Sequence, residues 1–127
     1  MVKTLICIPS ELPGGLEAEL SKSLEGSDVY NFVEINRDAN SSEISLAFQR
    51  YSCHAVACLD PIEAIAKKGA AAIIVRSISP DNLLRFLKSS VRVLISKNKT
   101  VQDSARQYIN DKLTELARKD LSTSGRK

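Results

Sequence analysis

The segment SCHAVACLDP, residues 52–61, places two cysteines and the only histidine of the chain close together. Cys53, His54 and Cys58 carry thiolate and imidazole donors, which suit zinc, copper(I) or iron–sulfur centres. Their spacing supplies at most three ligands, so a fourth ligand would have to come from elsewhere, for example from Cys7. The three residue types therefore predict a site for a metal ion or a metal cluster.

The same segment also fits a buried connection between a strand and a helix. Residues 55–57 and 59 are apolar, and in such surroundings cysteines behave as small hydrophobic side chains. Asp60 and Pro61 have the types preferred at the N-cap and the first position of a helix. Because ligands of open α/β sheets collect where helices begin after strands, this position also suits a ligand. Both interpretations stay open at this stage.

Three basic residues follow apolar runs that predict buried strands. Arg76 ends the run 70–76, and Lys97 and Lys99 follow the run 91–96. A helix is predicted between the two runs, so the strands should be parallel and their carboxyl ends should meet at one edge of the sheet. The three side chains could hold a phosphate, an oxyanion or an anionic cluster there. The alternative is that they are solvated loop charges.

The strands and helices that would position these residues are predicted in the order β-β-β-α-β-α-β-α. Strands are expected at 3–9, 28–37 and 43–51, and the last two should form a hairpin, with Ile44, Leu46 and Phe48 alternating with polar neighbours. Beyond this hairpin the helices should begin near Pro61, after Ser79 and after Thr100, the last with an apolar stripe reaching Leu116. Residues 16–25 have helical composition, and whether they form a helix or an extended loop stays open.

These elements predict an α/β protein with a mixed five-stranded sheet, the hairpin at one edge and helices on its faces. One domain should cover residues 1–118, and residues 119–127 should form a flexible polar tail. The chain has 127 residues and a net charge of +3, which is too weakly basic to indicate a nucleic-acid binder. Without a long apolar run we expect no membrane span.

The three cysteines are an odd number, which favours reduced thiols in the cytoplasm over a disulfide framework. The predicted strands 3–9 and 70–76 carry no acidic residue. A nuclease would need clustered carboxylates to hold two divalent ions. With one histidine and no nucleophile elbow, no hydrolytic triad can be argued either. We therefore expect a protein that is not an enzyme.

Two stretches carry a resemblance to a known family. They are GGLEAELSKSLEGSDVYNFVEI and DPIEAIAKKGAAAIIVRSISPDNLLRFLKSSVRVLISKNKTVQDSARQYINDKL. In order and spacing they resemble the dinitrogenase iron–molybdenum cofactor biosynthesis family, the NifX- and NafY-like domains, over roughly residues 3–115. The resemblance implies a ribonuclease-H-like fold and an iron–sulfur or molybdenum-containing cluster as ligand. It also implies that His54 takes the place of a histidine-containing segment before the same helix.

Together the residues and the resemblance predict a carrier of a metal cluster. Cys53, His54 and Cys58 would ligate the cluster, and the charge would be neutralised by Arg76, Lys97 and Lys99. The alternative is a cofactor-free interaction module on the same fold, because Ser23 stands where the family has a loop histidine. In that case the hairpin strand around residues 43–50 would form a homodimer or pair with another protein.

Overall fold

The structure is a computed structural model that describes residues 2–24, 27–38, 41–51 and 61–117. The predicted ligands Cys53, His54 and Cys58, and the predicted tail 119–127, lie outside these residues. The elements are β1 (Val2–Ser10), β2 (Val29–Arg37), β3 (Ser42–Tyr51), α1 (Pro61–Lys67), β4 (Ala72–Val75), α2 (Pro80–Lys88), β5 (Arg92–Ile95), α3 (Val101–Ile109) and β6 (Thr114–Leu116).

The strands form one mixed sheet in the order β3-β2-β1-β4-β5-β6. β1 pairs antiparallel with β2 and parallel with β4, and β4 pairs parallel with β5. The β2–β3 pair is the predicted hairpin, and the α/β class and the parallel central strands are likewise confirmed. No helix in the described part of the chain has the length and apolar character that crossing a membrane would require.

The predicted count of five strands is wrong, because a sixth strand follows α3. The helix ends at Ile109 instead of continuing to Leu116. Asp111 has a φ of 59°, a left-handed conformation that Asn and Asp tolerate better than most residues. The chain reverses there, and β6 pairs antiparallel with β5. The apolar residues up to Leu116 have a spacing that fits a helix but is also compatible with a short edge strand. The periodicity of the sequence could therefore not distinguish a longer α3 from β6.

Both faces of the sheet are covered, which explains the unbroken apolar runs in β4 and β5. Alternate residues of each strand enter one of two core layers. The layer under α1 and α2 includes Cys7, Phe32, Ile65, Ile73, Leu83, Phe86 and Val93. The layer under α3 includes Ile6, Ile8, Val33, Ile35, Ile74, Leu94, Val101 and Ala105.

A β-bulge in the hairpin changes which face Phe48 occupies. Phe48 lies opposite Phe32, but Leu46 lies opposite Val33, so Ala47 is the extra residue. Neighbouring residues of β2 face opposite sides, and the bulge therefore sends Phe48 to the α1 and α2 side and Leu46 to the α3 side. The simple alternation predicted from the sequence is wrong at Phe48.

Candidate functional site

The carboxyl ends of the parallel strands define one edge of the sheet, called here the carboxyl edge. β1, β4 and β5 all end at this edge, because they run in the same direction. The register pairs Ser10 with Val29 and Val29 with Tyr51, so β2 begins and β3 ends at the same edge. α1 begins at Pro61, and the predicted ligand segment therefore connects the end of β3 to the start of α1.

Arg76 is the predicted site residue that the structure fixes most firmly. It follows β4 directly, and its side chain is partly buried. One terminal guanidinium nitrogen donates to the carbonyl oxygen of Asn98 over 3.3 Å. Its Nε is buried and has no hydrogen-bond partner among the described residues. A buried donor without an acceptor costs about 1–3 kcal/mol, so this nitrogen marks a place where an anionic ligand would be stabilising.

A small hydroxyl network holds the loop that contacts Arg76. Ser96 and Ser104 are buried, and their Oγ atoms are 2.7 Å apart. Asn98 donates to Ser96 Oγ from both its backbone nitrogen and its Nδ2, each over 3.1 Å. The network fixes the backbone of Asn98 and so presents its carbonyl oxygen to Arg76.

The two predicted lysines lie on the same loop but are not equivalent. Both are exposed. Lys99 is 3.7 Å from the carboxylate of Glu19, with both side chains about half exposed or more, so this ion pair contributes little to stability. Lys97 lines a cavity of about 350 Å³ with Gln107 and Lys112, and this cavity does not include Arg76. The structure thus joins the loop of the lysines to Arg76 without gathering all three charges around one cavity.

Residues 16–24, called here the strap, contain no helix and cross the carboxyl edge instead. The strap joins the end of β1 through backbone bonds from Glu11 N to Glu19 O, 3.0 Å, and from Ser21 N to Pro9 O, 3.3 Å. Leu20 and Leu24 are buried. The four-residue spacing of the leucines therefore reports burial correctly, but the buried segment is an irregular chain rather than a helix.

The strap also joins the other two loops of the edge. Leu24 N donates to Ser77 O over 3.1 Å, and Ser77 Oγ donates to Lys22 O over 2.8 Å. Three further backbone bonds reach the start of α3: Leu20 N to Lys99 O, Val101 N to Ala18 O and Gln102 N to Leu16 O. Each of the loops after β1, β4 and β5 is therefore anchored to one segment.

Asn31 is a buried site residue that no sequence pattern indicated. Its Nδ2 donates to Ile8 O and to Ser10 Oγ, each over 2.8 Å. Its Oδ1 accepts from Gly15 N over 2.8 Å and from Gln49 Nε2 over 3.2 Å. The four bonds use the full capacity of the amide and hold the loop after β1 against the hairpin.

Gly14 sits where this loop approaches the hairpin. Its φ is 84°, and an added Cβ would lie 2.5 Å from Gln49 Nε2 and 2.8 Å from Val29 Cγ1. Gly15 has a similar φ of 96° but open space around it. Both substitutions by alanine carry a backbone penalty of about 1–2 kcal/mol, and Gly14→Ala adds an overpacking cost of about 1–3 kcal/mol.

We therefore expect Gly14→Ala to lower the free energy of unfolding more than Gly15→Ala does. Urea denaturation of both variants beside the wild type measures the difference, and the shared φ penalty cancels between them. Equal losses would show that the loop moves away from the hairpin without cost.

Cys7 is not placed to be the fourth ligand. It lies in the middle of β1, paired with Phe32 and Ile73, and is completely buried in the core. Burial raises the pKa of the Cys7 thiol far above its ordinary value, so the thiol stays protonated, whereas metals bind the thiolate. The described residues contain no group of three or more His, Cys, Asp and Glu side chains that could hold a metal ion.

The carboxyl edge thus offers a fixed guanidinium, two lysines, and the start of the helix that follows the Cys53–Cys58 segment. Such an arrangement can neutralise an anion.

No protein-family model and no curated protein matches the sequence. Solved structures do resemble it. A candidate dinitrogenase from Methanocaldococcus jannaschii has a TM-score of 0.65 at 20% identity, covering 92% of this chain and 98% of its own. The apo form of the orange protein from Desulfovibrio gigas has a TM-score of 0.64 at 15% identity, covering 90% and 93%. A candidate NifB protein from Thermotoga, of the DUF35 family, has a TM-score of 0.59 at 17% identity, covering 89% and 93%. At these identities the likeness establishes a shared fold.

Proposed function

We propose that this protein is a non-enzymatic carrier of an anionic, metal-containing cluster, related to the NifX- and NafY-like proteins of iron–molybdenum cofactor biosynthesis. The observation that carries the proposal is the buried, unpartnered Nε of Arg76 at the carboxyl edge. An oxo or sulfido group of an iron–sulfur or molybdenum cluster would accept this hydrogen bond. The guanidinium is charged at all physiological pH values, so it would neutralise the cargo permanently.

The ligating side of the proposed site is Cys53, His54 and Cys58. Thiolates and imidazole suit such clusters, and the segment that carries these residues connects β3 to α1 at the edge where Arg76 lies. Reduced thiols of this kind fit a cytoplasmic protein.

The solved structures support the same proposal through their fold. Two of them are described as dinitrogenase-related or NifB-related, and a third as the apo form of the orange protein. The strand order β3-β2-β1-β4-β5 is compatible with a ribonuclease-H-like sheet, to which β6 is an addition. We assign this chain the carrier role because β1 and β4 bear no acidic residue with which to build a two-metal catalytic centre.

Anaerobic purification followed by elemental analysis for Fe, Mo, Cu and Zn, with an ultraviolet–visible spectrum, tests the ligating side. We expect bound metal that is lost in His54→Ala and Cys58→Ala and reduced in Cys53→Ala. The control is Cys7→Ala, which removes a core thiol and should leave the metal content per folded protein unchanged. Metal retained in all three site variants would refute this ligand set.

If Arg76 neutralises the charge of the ligand, Arg76→Gln should weaken the binding of an anion. With molybdate as a simple anionic probe, we expect a loss of affinity of at least tenfold, about 1.4 kcal/mol. The control is Arg92→Gln. Arg92 begins β5 at the end away from the carboxyl edge, and it is already paired with Glu115. Isothermal titration at two salt concentrations measures both variants. Unchanged affinity in Arg76→Gln, or an equal loss in Arg92→Gln, would contradict the role of Arg76.

A second candidate function is a cofactor-free interaction module. Among the described strands, β3 pairs only with β2 and is an edge of the sheet. It exposes 36% of Leu46 and 37% of Phe48, and apolar edge strands are templates for pairing with another strand. A colourless, metal-free protein whose self-association or partner binding is lost in Leu46→Lys would favour this function over the carrier.

A further inference from the structure

A second cavity lies toward the opposite edge of the sheet, on the α3 side, and shares Leu113 of its lining with the cavity that Lys97 lines. Its volume is about 230 Å³. It lies where β2 ends, where β5 begins and where the chain turns after α3. Its polar lining includes Arg37, Arg92, Tyr108 and Asp111, and its apolar lining includes Leu94 and Leu113.

Arg37 forms a positive wall of this cavity. One terminal nitrogen of its guanidinium donates to Ile109 O over 3.3 Å, and its Cζ is 6.0 Å from the centre of the Tyr108 ring. Both contacts fix the orientation of the guanidinium, so little side-chain entropy remains to be lost on binding. Among the described residues no carboxylate lies within ion-pair distance of Arg37. The wall therefore offers an oriented, uncompensated positive charge.

The wall around Arg92 contains acidic as well as basic side chains. Glu115 holds the guanidinium of Arg92 in a bidentate pair, at 2.9 and 3.2 Å. The hydrogen bond with Glu115 is the main cause that raises the pKa of Arg92, and the nearby charge of Asp111 adds to it. Asp111 thus lies near this guanidinium without forming an ion pair with it. Glu115 does not itself line the cavity, but it offsets the charge of Arg92. In the described part of the chain Asp111 has no ion pair of its own, so the uncompensated charge on this side of the cavity is the carboxylate of Asp111.

A cavity with one positive wall, one negative wall and an apolar floor matches a small zwitterion. We infer that it binds a free α-amino acid with a small apolar side chain, its carboxylate on Arg37, its ammonium group on Asp111 and its side chain against Leu94 and Leu113. Guanidinium–carboxylate and ammonium–carboxylate contacts are charge-assisted and stronger than neutral hydrogen bonds. The volume of the cavity restricts the ligand to few heavy atoms, because ordinary ligand sites begin at about 300 Å³.

Titration with L-valine, followed by two-dimensional amide NMR, tests this inference directly. We expect concentration-dependent shifts at Leu94, Ile109 and Leu113. Two analogues serve as matched probes: isovalerate lacks the ammonium group, and isobutylamine lacks the carboxylate. Each should bind at least tenfold more weakly than L-valine, about 1.4 kcal/mol. Isovalerate binding as tightly as L-valine, or no shift with L-valine up to about 10 mM, would overturn the inference.

Substitutions in each wall test the role of its charged side chain in binding. Arg37→Gln and Asp111→Asn should each weaken L-valine binding at least tenfold, and asparagine tolerates the left-handed backbone at position 111. Arg85→Gln, on the exposed surface of α2, is the control and should bind normally. L-valine binding that survives both wall variants would contradict the site. The result is independent of the carrier function, because neither Arg37 nor Asp111 belongs to the proposed carrier site.

Discussion

Asn31→Asp is expected to lower the free energy of unfolding by about 3–5 kcal/mol at neutral pH, the cost of an uncompensated buried charge. Asn31 is completely buried, and its Nδ2 donates to Ile8 O and Ser10 Oγ. In the variant a carboxylate oxygen replaces this nitrogen. It would face the Ile8 carbonyl oxygen as one acceptor against another, and none of the hydrogen-bond partners of this side chain among the described residues is a cation.

The destabilisation should depend on pH with a defined sign. Burial favours the neutral form and raises the pKa of the new carboxyl group in the folded protein above its value in the unfolded chain. The folded state then binds more protons than the unfolded state, so stability falls as pH rises through the unfolded and then the folded pKa. In its protonated form the new carboxyl group could again donate a hydrogen bond to Ile8 O, and the lost stability should return in acid.

Urea denaturation between about pH 4 and pH 8 measures this effect, since the carboxyl group has an unperturbed pKa of about 3.9. Asn110→Asp is a matched control, because Asn110 is exposed at the end of α3. A carboxylate there should cost less than about 1 kcal/mol, through the helix dipole. If both variants lose the same stability, or if Asn31→Asp shows no recovery in acid, the network around Asn31 is not as rigid as described.

Phe32→Ala is expected to cost about 3–5 kcal/mol, the usual range for a fully buried phenylalanine. Its ring is completely buried between the sheet and the layer formed by α1 and α2. The control lies in the same ring pair: Phe48 stacks on Phe32 with centroids 4.4 Å apart, but it is 37% exposed.

Both variants lose the same stacking contact, and Phe48→Ala also loses the contact of its ring with Lys68 Nζ, 5.2 Å from the ring centre. A larger cost in Phe32→Ala therefore reports burial and cavity formation. We expect Phe48→Ala to cost about 1 kcal/mol, mainly the aromatic pair. Chemical denaturation of the two variants measures the difference. Equal costs would mean that the ring of Phe32 owes its contribution to the stack and not to the core.

The helices α2 and α3 and the strands β4 and β5 could be predicted from the sequence, because the residues that indicate them are close together in the chain. Ser79 caps α2 by accepting from Asn82 N, and Thr100 caps α3 by accepting from Asp103 N, as the cap residues indicated. The apolar runs that became β4 and β5 are short and lie between helix signals. Their length and flanking residues therefore marked them as parallel strands covered on both faces.

The features that escaped prediction depend on partners distant in the chain. The strap has the composition of a helix, but its backbone groups bond to residues up to 86 positions away, as in Gln102 N to Leu16 O. The bulge at Ala47 and the strand at Thr114–Leu116 likewise follow from pairing with neighbours that no local pattern reveals.

The candidate site was predicted in part. Arg76 lies at the expected edge, next to the loop of Lys97 and Lys99, but Lys97 faces a separate cavity. The ligand role of Cys53, His54 and Cys58 stays a prediction, because these residues lie outside the described part of the chain. The sequence could not reveal the unpartnered Nε of Arg76, since burial of a single atom depends on how three loops pack together.

The strap has a consequence for the order in which the protein becomes complete during synthesis on the ribosome. Its bonds to Val101 and Gln102 cannot form until these two residues have emerged, since chains grow from the amino terminus. The hairpin can pair early, but the strap must wait for α3. The carboxyl edge therefore closes only once α3 has emerged. A nascent or truncated chain that stops before α3 would have the strands β1 to β5 but no assembled edge with which to capture a ligand.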